Sequence, residues 1–246
     1  MRGSQIKTRW WVAALLLLVV YPVGASVLTF GFHCITNTNP VDCQIGQSQL
    51  FVDVVGFGSS TTVGNTTITP TTNQVVFRFY NIGPANSSIT DVYFDDGSLL
   101  LLASIFNMTG VNFSQFATPS NLPGGNNVTP PFQTTAGFSA DSNPPVQPNG
   151  VNPHEALGIL FSLQSGMTWN NVVNDLGTGA LRIGIHVQGF SSRGSESFIN
   201  NPNPVPEPAT LGLVGAGLLL LGWRKRKISQ FVKKAIHSRP ARLVPR

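Results

Sequence analysis

Between residues 26 and 205 the chain has no lysine and only three arginines, Arg78, Arg182 and Arg193. Nine of its ten acids fall in the same stretch, so three cations against nine acids leave it six negative. Binding nucleic acid requires a basic patch, and this stretch cannot build one. The whole-chain excess of +5 belongs to the ends: three cations lie at residues 2–9 and nine follow Trp223. Two cysteines permit one disulfide at most, and His33 alone beside them is too little for a metal site. Lysine, glutamate and alanine are scarce in this body, whereas Asn, Thr, Ser, Gly and Pro abound, which disfavours long helices and suits strands joined by turns. No internal repeat is visible, which excludes solenoids and propellers. The two long apolar runs, residues 10–20 and 209–223, have eleven and fifteen residues, both short of the ~20 needed to cross a bilayer core unaided.

Those two runs differ in their flanks. The first follows Arg2, Lys7 and Arg9 and is broken by Pro22, after which Val23-Gly24-Ala25 supplies small residues. A positive segment, a short apolar segment and a small-residue site make a secretory signal peptide, residues 1–25, with the mature chain starting at Ser26. The second run is preceded by Pro206-Glu207-Pro208 and followed by Arg224-Lys225-Arg226-Lys227. With help from its flanks it reads as a transmembrane helix over 209–223, Trp223 at the interface and the cations held inside, hence body outside and tail inside. Residues 228–246 form a basic tail in which Ile228, Phe231, Val232, Ala235 and Ile236 have helical spacing. Either an amphipathic helix on the inner leaflet or a frayed tail fits them.

The stretch VPEPATLGLVGAGLLLLGWRKRK, residues 205–227, resembles the PEP-CTERM sorting signal, which some ice-binding proteins also carry. The signal consists of a Pro-Glu-Pro motif (Pro206, Glu207, Pro208), a Gly-rich membrane segment and a basic stop cluster (Arg224, Lys225, Arg226, Lys227). The resemblance implies an exosortase partner, a membrane transpeptidase that cleaves near the motif and passes the body to the cell surface of an exopolysaccharide-making bacterium. The tail beyond Lys227 departs from the usual signal, which stops at the basic cluster. Segments 136–153 and 182–190 also look like stretches recurring in PEP-CTERM ectodomains, without bringing a mechanism.

The body, residues 26–199, is large enough for one core. Strand-like runs occur at 27–32, 49–55, 74–80, 89–94, 99–106, 158–163 and 180–188, and 197–199 reads as a closing edge strand. Asp95-Asp96-Gly97 reads as the turn of a hairpin joining 89–94 to 99–106. Residues 56–72, 118–131 and 141–153 read as turn-rich connections, and 169–176 is the one expected short helix. The expected fold is all-β, a β-sandwich or jelly-roll ectodomain. A Pro/Asn-rich linker, residues 200–204, is expected to hold it off the membrane.

Chemistry is sparse. His154-Glu155 opens like a zinc-protease motif, but Gly158 stands where the second histidine is required. Asp91, Asp95 and Asp96 are calcium candidates, although a single Asp-Asp-Gly lacks a full liganding loop. The threonines of 61–72 invite comparison with flat ice-matching arrays, but irregular spacing and Pro70 make a solvated loop the better reading. Cys34 and Cys43 are disulfide candidates in an oxidising compartment, and no cofactor is expected. The leading expectation is an exported, non-enzymatic surface or matrix protein associated with exopolysaccharide or biofilm. The alternative is a carbohydrate-binding module using exposed aromatics such as Trp169, Tyr80 or Tyr93.

Overall fold

The computed structural model describes residues 27–96, 99–135 and 138–205. The expected signal peptide, Pro206, Glu207, Pro208, the helix at 209–223, Arg224 to Lys227 and the basic tail all lie outside the described residues. Among the described residues no helix is long and apolar enough to cross a membrane.

The elements run β1 (Val27–Cys34), α1 (Pro40–Gln49), β2 (Leu50–Val55), β3 (Thr61–Val63), β4 (Thr66–Ile68), β5 (Gln74–Asn81), β6 (Ser88–Asp95), β7 (Leu100–Asn107), β8 (Phe113–Gln115), β9 (Ser139–Ser142), α2 (Val146–Asn149), β10 (Ala156–Leu163), α3 (Trp169–Thr178), β11 (Arg182–Gln188) and β12 (Glu196–Asn200). The expected mostly-β composition holds. Ten strands form one antiparallel sheet in the order β7-β10-β5-β2-β1-β12-β11-β6-β9-β8. The sheet curls about β1, whose first half pairs with β2 and whose last three residues pair with β12.

The curl brings its two halves face to face around an aromatic centre. Phe77 of β5 and Phe161 of β10 meet Phe94 of β6 edge-on, at centroid distances of 5.0 and 4.7 Å. These rings are fully buried with Phe30, Phe32, Phe79 and Phe198, and each such side chain contributes ~1.5–3 kcal/mol by leaving water. The outer strands β7 and β8 meet at a corner, where the Asn107 side chain accepts from the Phe113 N–H and donates to its carbonyl.

Four expectations change. The expected hairpin of 89–94 with 99–106 is not formed: β6 pairs with β9 and β11, and β7 with β10, in the other half of the sheet. Strand β12 is central rather than an edge, because it is the piece that continues β1 into the second half. The Thr-rich loop is a hairpin, β3–β4, turned by Gly64 at φ 58°, a backbone region open to glycine. Its Val63 and Ile68 are buried against Val55 and Val76, and Thr62 opposite Thr67 is its single directly paired threonine couple. Lastly, helix α1 precedes β2, although 169–176 is the one helix expected. The Asn39 side chain caps the Val41 N–H at 3.0 Å and Pro40 takes the first turn, where its missing N–H costs nothing. The expected helix at 169–176 is present as α3.

Candidate functional site

Three places on the body carry polar chemistry. The first is the disulfide loop. Cys34 at the end of β1 and Cys43 in α1 are bonded, closing a separation of nine residues. The fully buried Glu196 of β12 reaches into this loop. Its carboxylate accepts from the hydroxyls of Thr36 and Thr38 and from the N–H groups of Thr38 (3.2 Å) and Asn39 (2.6 Å). Burial works against its charge, but these donors outweigh it and hold the acid below its ordinary range. Among the described residues Cys34, Cys43 and Glu196 are the one cluster of three potential metal-binding groups. Both sulfurs are committed to each other, which leaves a single free ligand.

The second is a row across the outer face of β12, β11, β6 and β9: Ser197, His186, Asp91 and Asp141 stand opposite one another in register. His186 Nδ1 lies 3.0 Å from Ser197 Oγ. The composition suggests a nucleophilic triad, but Ser197 is fully buried and presents no hydroxyl to a substrate. Burial drives Asp91 up to about 7, with the facing Asp141 adding to it and the Thr90 hydroxyl, 2.7 Å away, opposing. Burial likewise raises Asp141 and lowers His186, where the Glu196 charge opposes the drop.

Asp91, Asp95 and Asp96 therefore do not share a cation site. Asp91 faces Asp141, Asp95 is ion-paired with Arg182, and Asp96 is buried, accepting from the Leu100 N–H at 2.7 Å.

The third is a groove of about 510 Å³ on the outer face of the other half, lined in part by Arg78, Tyr80, Asn81, His154 and Glu155. Arg78 pairs with Asp53 at 3.1 Å and lies over the Tyr80 ring at 4.5 Å. Phe51 stacks beside Tyr80 at 5.7 Å. Burial, then the Asp53 charge, pushes the Tyr80 phenol up to about 12. His154 has φ 71°, a left-handed backbone uncommon for residues other than glycine. Thus His154 and Glu155 sit in the loop before β10, at a groove. Of the other aromatics expected at a ligand surface, Tyr93 is fully buried with its hydroxyl donating to the Pro119 carbonyl. Trp169 packs over Gly56 and against the core.

The C-terminal end of the body completes the picture. Asn200 belongs to β12, and the chain then continues along β1. The Asn201 N–H donates to the Gly31 carbonyl (2.9 Å) and the Val205 N–H to the Thr29 carbonyl (2.7 Å). The Pro/Asn-rich segment is thus strapped to the sheet as far as Val205, not held away from it. No residue pattern foretold this, because its partners are backbone groups.

In comparison with known proteins, the family model of the PEP-CTERM protein-sorting motif fits residues 204–227. The chain carries that sorting motif, beginning where the strap ends. Neither a curated protein nor a solved structure matches the chain.

Proposed function

We propose that the chain is an exported, non-enzymatic surface or extracellular-matrix protein, handed to the cell surface by an exosortase and associated there with exopolysaccharide or biofilm. The sorting motif at residues 204–227 carries this reading. Support comes from the charge distribution, which places the cations at the two ends and leaves an acidic, lysine-free body between them. In this reading residues 1–25 direct export and are removed, 209–223 anchor the precursor, and Arg224 to Lys227 keep it from sliding outward. Moving each cation to the bilayer centre costs ~2.5–3.5 kcal/mol on insertion scales. Pro206 and Pro208 stiffen the chain between body and membrane, because proline fixes φ and removes a donor. Glu207 is the one charge between residues 200 and 208 and serves as the recognition handle. In a host with a working exosortase, Glu207→Ala should leave uncut precursor in the membrane. Release at the wild-type rate would show that Glu207 is not read.

A second reading, carbohydrate binding at the surface, is favoured by the groove beside Arg78 and Tyr80. Guanidinium, phenol, amide and carboxylate groups converge there, the kinds of donor and acceptor that hold sugar hydroxyls. A glycan array probed with the wild type and with Arg78→Ala tests it. Equal signals from the two would remove the groove from consideration.

A further inference from the structure

Strand register divides the sheet into two rims. One rim gathers the starts of β1, β5, β7, β9 and β11 with the ends of β2, β6, β8, β10 and β12. The chain leaves the body at this rim, since Val205 is bonded to Thr29 near the start of β1. Seven large hydrophobic side chains are exposed among the described residues: Val41, Phe57, Ile82, Leu101, Phe116, Met167 and Val205. Five of the seven belong to the departure rim. Phe57 (57 % exposed) follows the end of β2, Leu101 lies at the start of β7, and Phe116 (66 % exposed) follows the end of β8. Met167 lies between β10 and α3, and Val205 ends the strap. Only Val41, in α1, and Ile82, after β5, belong to the opposite rim.

From this clustering, and from where the rest of the chain goes, we infer that the departure rim is a bilayer-docking surface, resting on the outer face of the membrane through Phe57, Leu101, Phe116, Met167 and Val205. The inference rests on the anchored-precursor reading above. Three residues separate Val205 from the apolar segment that starts at Ala209, so a fully extended chain places the two no more than ~14 Å apart. The polar headgroup layer is roughly 5–8 Å deep on each side of the hydrocarbon core, so the rim is held within reach of it. Apolar and aromatic side chains exposed at that height meet the interface rather than bulk water. Charge does not drive the contact. Arg182, the cation at this rim, is engaged by Asp95 and by the carbonyls of Pro130 and Pro131. Arg193 lies between the end of β11 and the start of β12, at the far rim. Docking therefore depends on insertion and not on attraction to anionic lipid.

The test places the full chain in phosphatidylcholine nanodiscs whose acyl chains carry bromine, a contact quencher of tryptophan. A tryptophan is introduced at either rim, Phe57→Trp or Val41→Trp, and its emission is read against wild type in matched unbrominated discs. The expected result is that the tryptophan at position 57 loses most of its emission in brominated discs while that at position 41 keeps its own, in low and in high salt alike. Equal, weak quenching at both positions would overturn the inference while leaving the anchored reading intact. Emission at position 57 that ignores bromine but changes with the number of copies per disc would overturn it too, by assigning the rim to a second copy of the chain. Failure of the wild type to stay with the discs would remove the anchored reading and this inference with it.

Discussion

Replacing Glu196 tests how the N-terminal part of the body is held. Its carboxylate is fully buried and takes four hydrogen bonds from a segment of four residues, Thr36 to Asn39. A hydrogen bond to a charged group contributes about 1.5–3 kcal/mol net. A plain sum overstates the loss, because Thr38 is exposed and regains water when the acceptor goes. Removing the carboxylate orphans neutral donors, at about 1–3 kcal/mol for each one left without a partner, and we expect Glu196→Ala to cost about 2–5 kcal/mol. Glu196→Gln keeps one carbonyl acceptor and should cost roughly half as much. The same four residues lie inside the loop closed by Cys34 and Cys43. A closed loop of this length contributes ~2.5–3 kcal/mol by restricting the unfolded chain. Carboxylate and disulfide thus order one segment, and their effects should not add. Urea unfolding of the exported protein, followed by far-ultraviolet circular dichroism, gives each term. The reference is a Cys34→Ser, Cys43→Ser background, in which Glu196→Ala should cost less than in the oxidised protein. A cost below about 1 kcal/mol in the oxidised protein would refute the clamp, and equal costs in both backgrounds would refute the shared role. The depressed acidity fixes the sign with pH: the stabilisation is present above the ordinary carboxylate range and lost as pH falls through the lowered value.

The Asp91–Asp141 pair has the opposite sign. Because burial lifts Asp91 to about 7, its contribution is full below the ordinary carboxylate range and is lost as pH rises from there to about 7, with a slope approaching ~1.4 kcal/mol per pH unit for one proton. His186, lowered by burial, contributes the reverse, losing stability as pH falls below about 6.5; Asp91→Asn should therefore remove a fall in stability as pH rises from the ordinary carboxylate range to about 7, and melting temperatures of variant and wild type across that range check it. Phe94→Ala, at the meeting point of both halves of the sheet, should cost about 3–5 kcal/mol in urea unfolding. Gly46→Ala sets a methyl against the Phe198 ring between α1 and the core and should cost about 1–3 kcal/mol in the same assay. Hydrogen exchange should find the Val205 and Asn201 amides protected, since both donate to β1; exchange at free-peptide rates would show an unattached linker.

Strands were legible wherever packing and propensity agree. The runs at 27–32, 49–55, 74–80 and 158–163 correspond to β1, β2, β5 and β10 with ends displaced by one or two residues, because β-branched and aromatic residues there fill a buried pleated surface. Features that depend on distant chain were not legible. Asp95-Asp96-Gly97 has good turn chemistry, but turn residues constrain only local backbone, and the pairing of β6 and β7 is decided by the curl. The β3–β4 hairpin hid because its outward positions are threonines and only Val63 and Ile68 bind it to the core. Helix α1 carried a signal in Asn39-Pro40, a capping residue before a proline, but its mostly polar sequence lacks a clear apolar face. The groove was half visible: His154-Glu155 stood out as an unfinished motif, whereas Arg78 and Tyr80 read only as strand residues.

The adjacency of the body's two described ends follows from the topology. Strands β1 and β12 are antiparallel neighbours, so the start of the first and the end of the last share a rim. An eight-residue strand such as β1 is roughly 26 Å long. Had the last strand ended at the far rim, the five residues from Asn201 to Val205, reaching ~18 Å at most, could not have carried the sorting motif back. The arrangement found needs no such return, and the strap uses those residues to extend the sheet by two further backbone bonds. A body of this kind closes its core with both of its described ends, Val27 and Val205, at one rim. The described chain thus reaches the start of the sorting motif from a folded base.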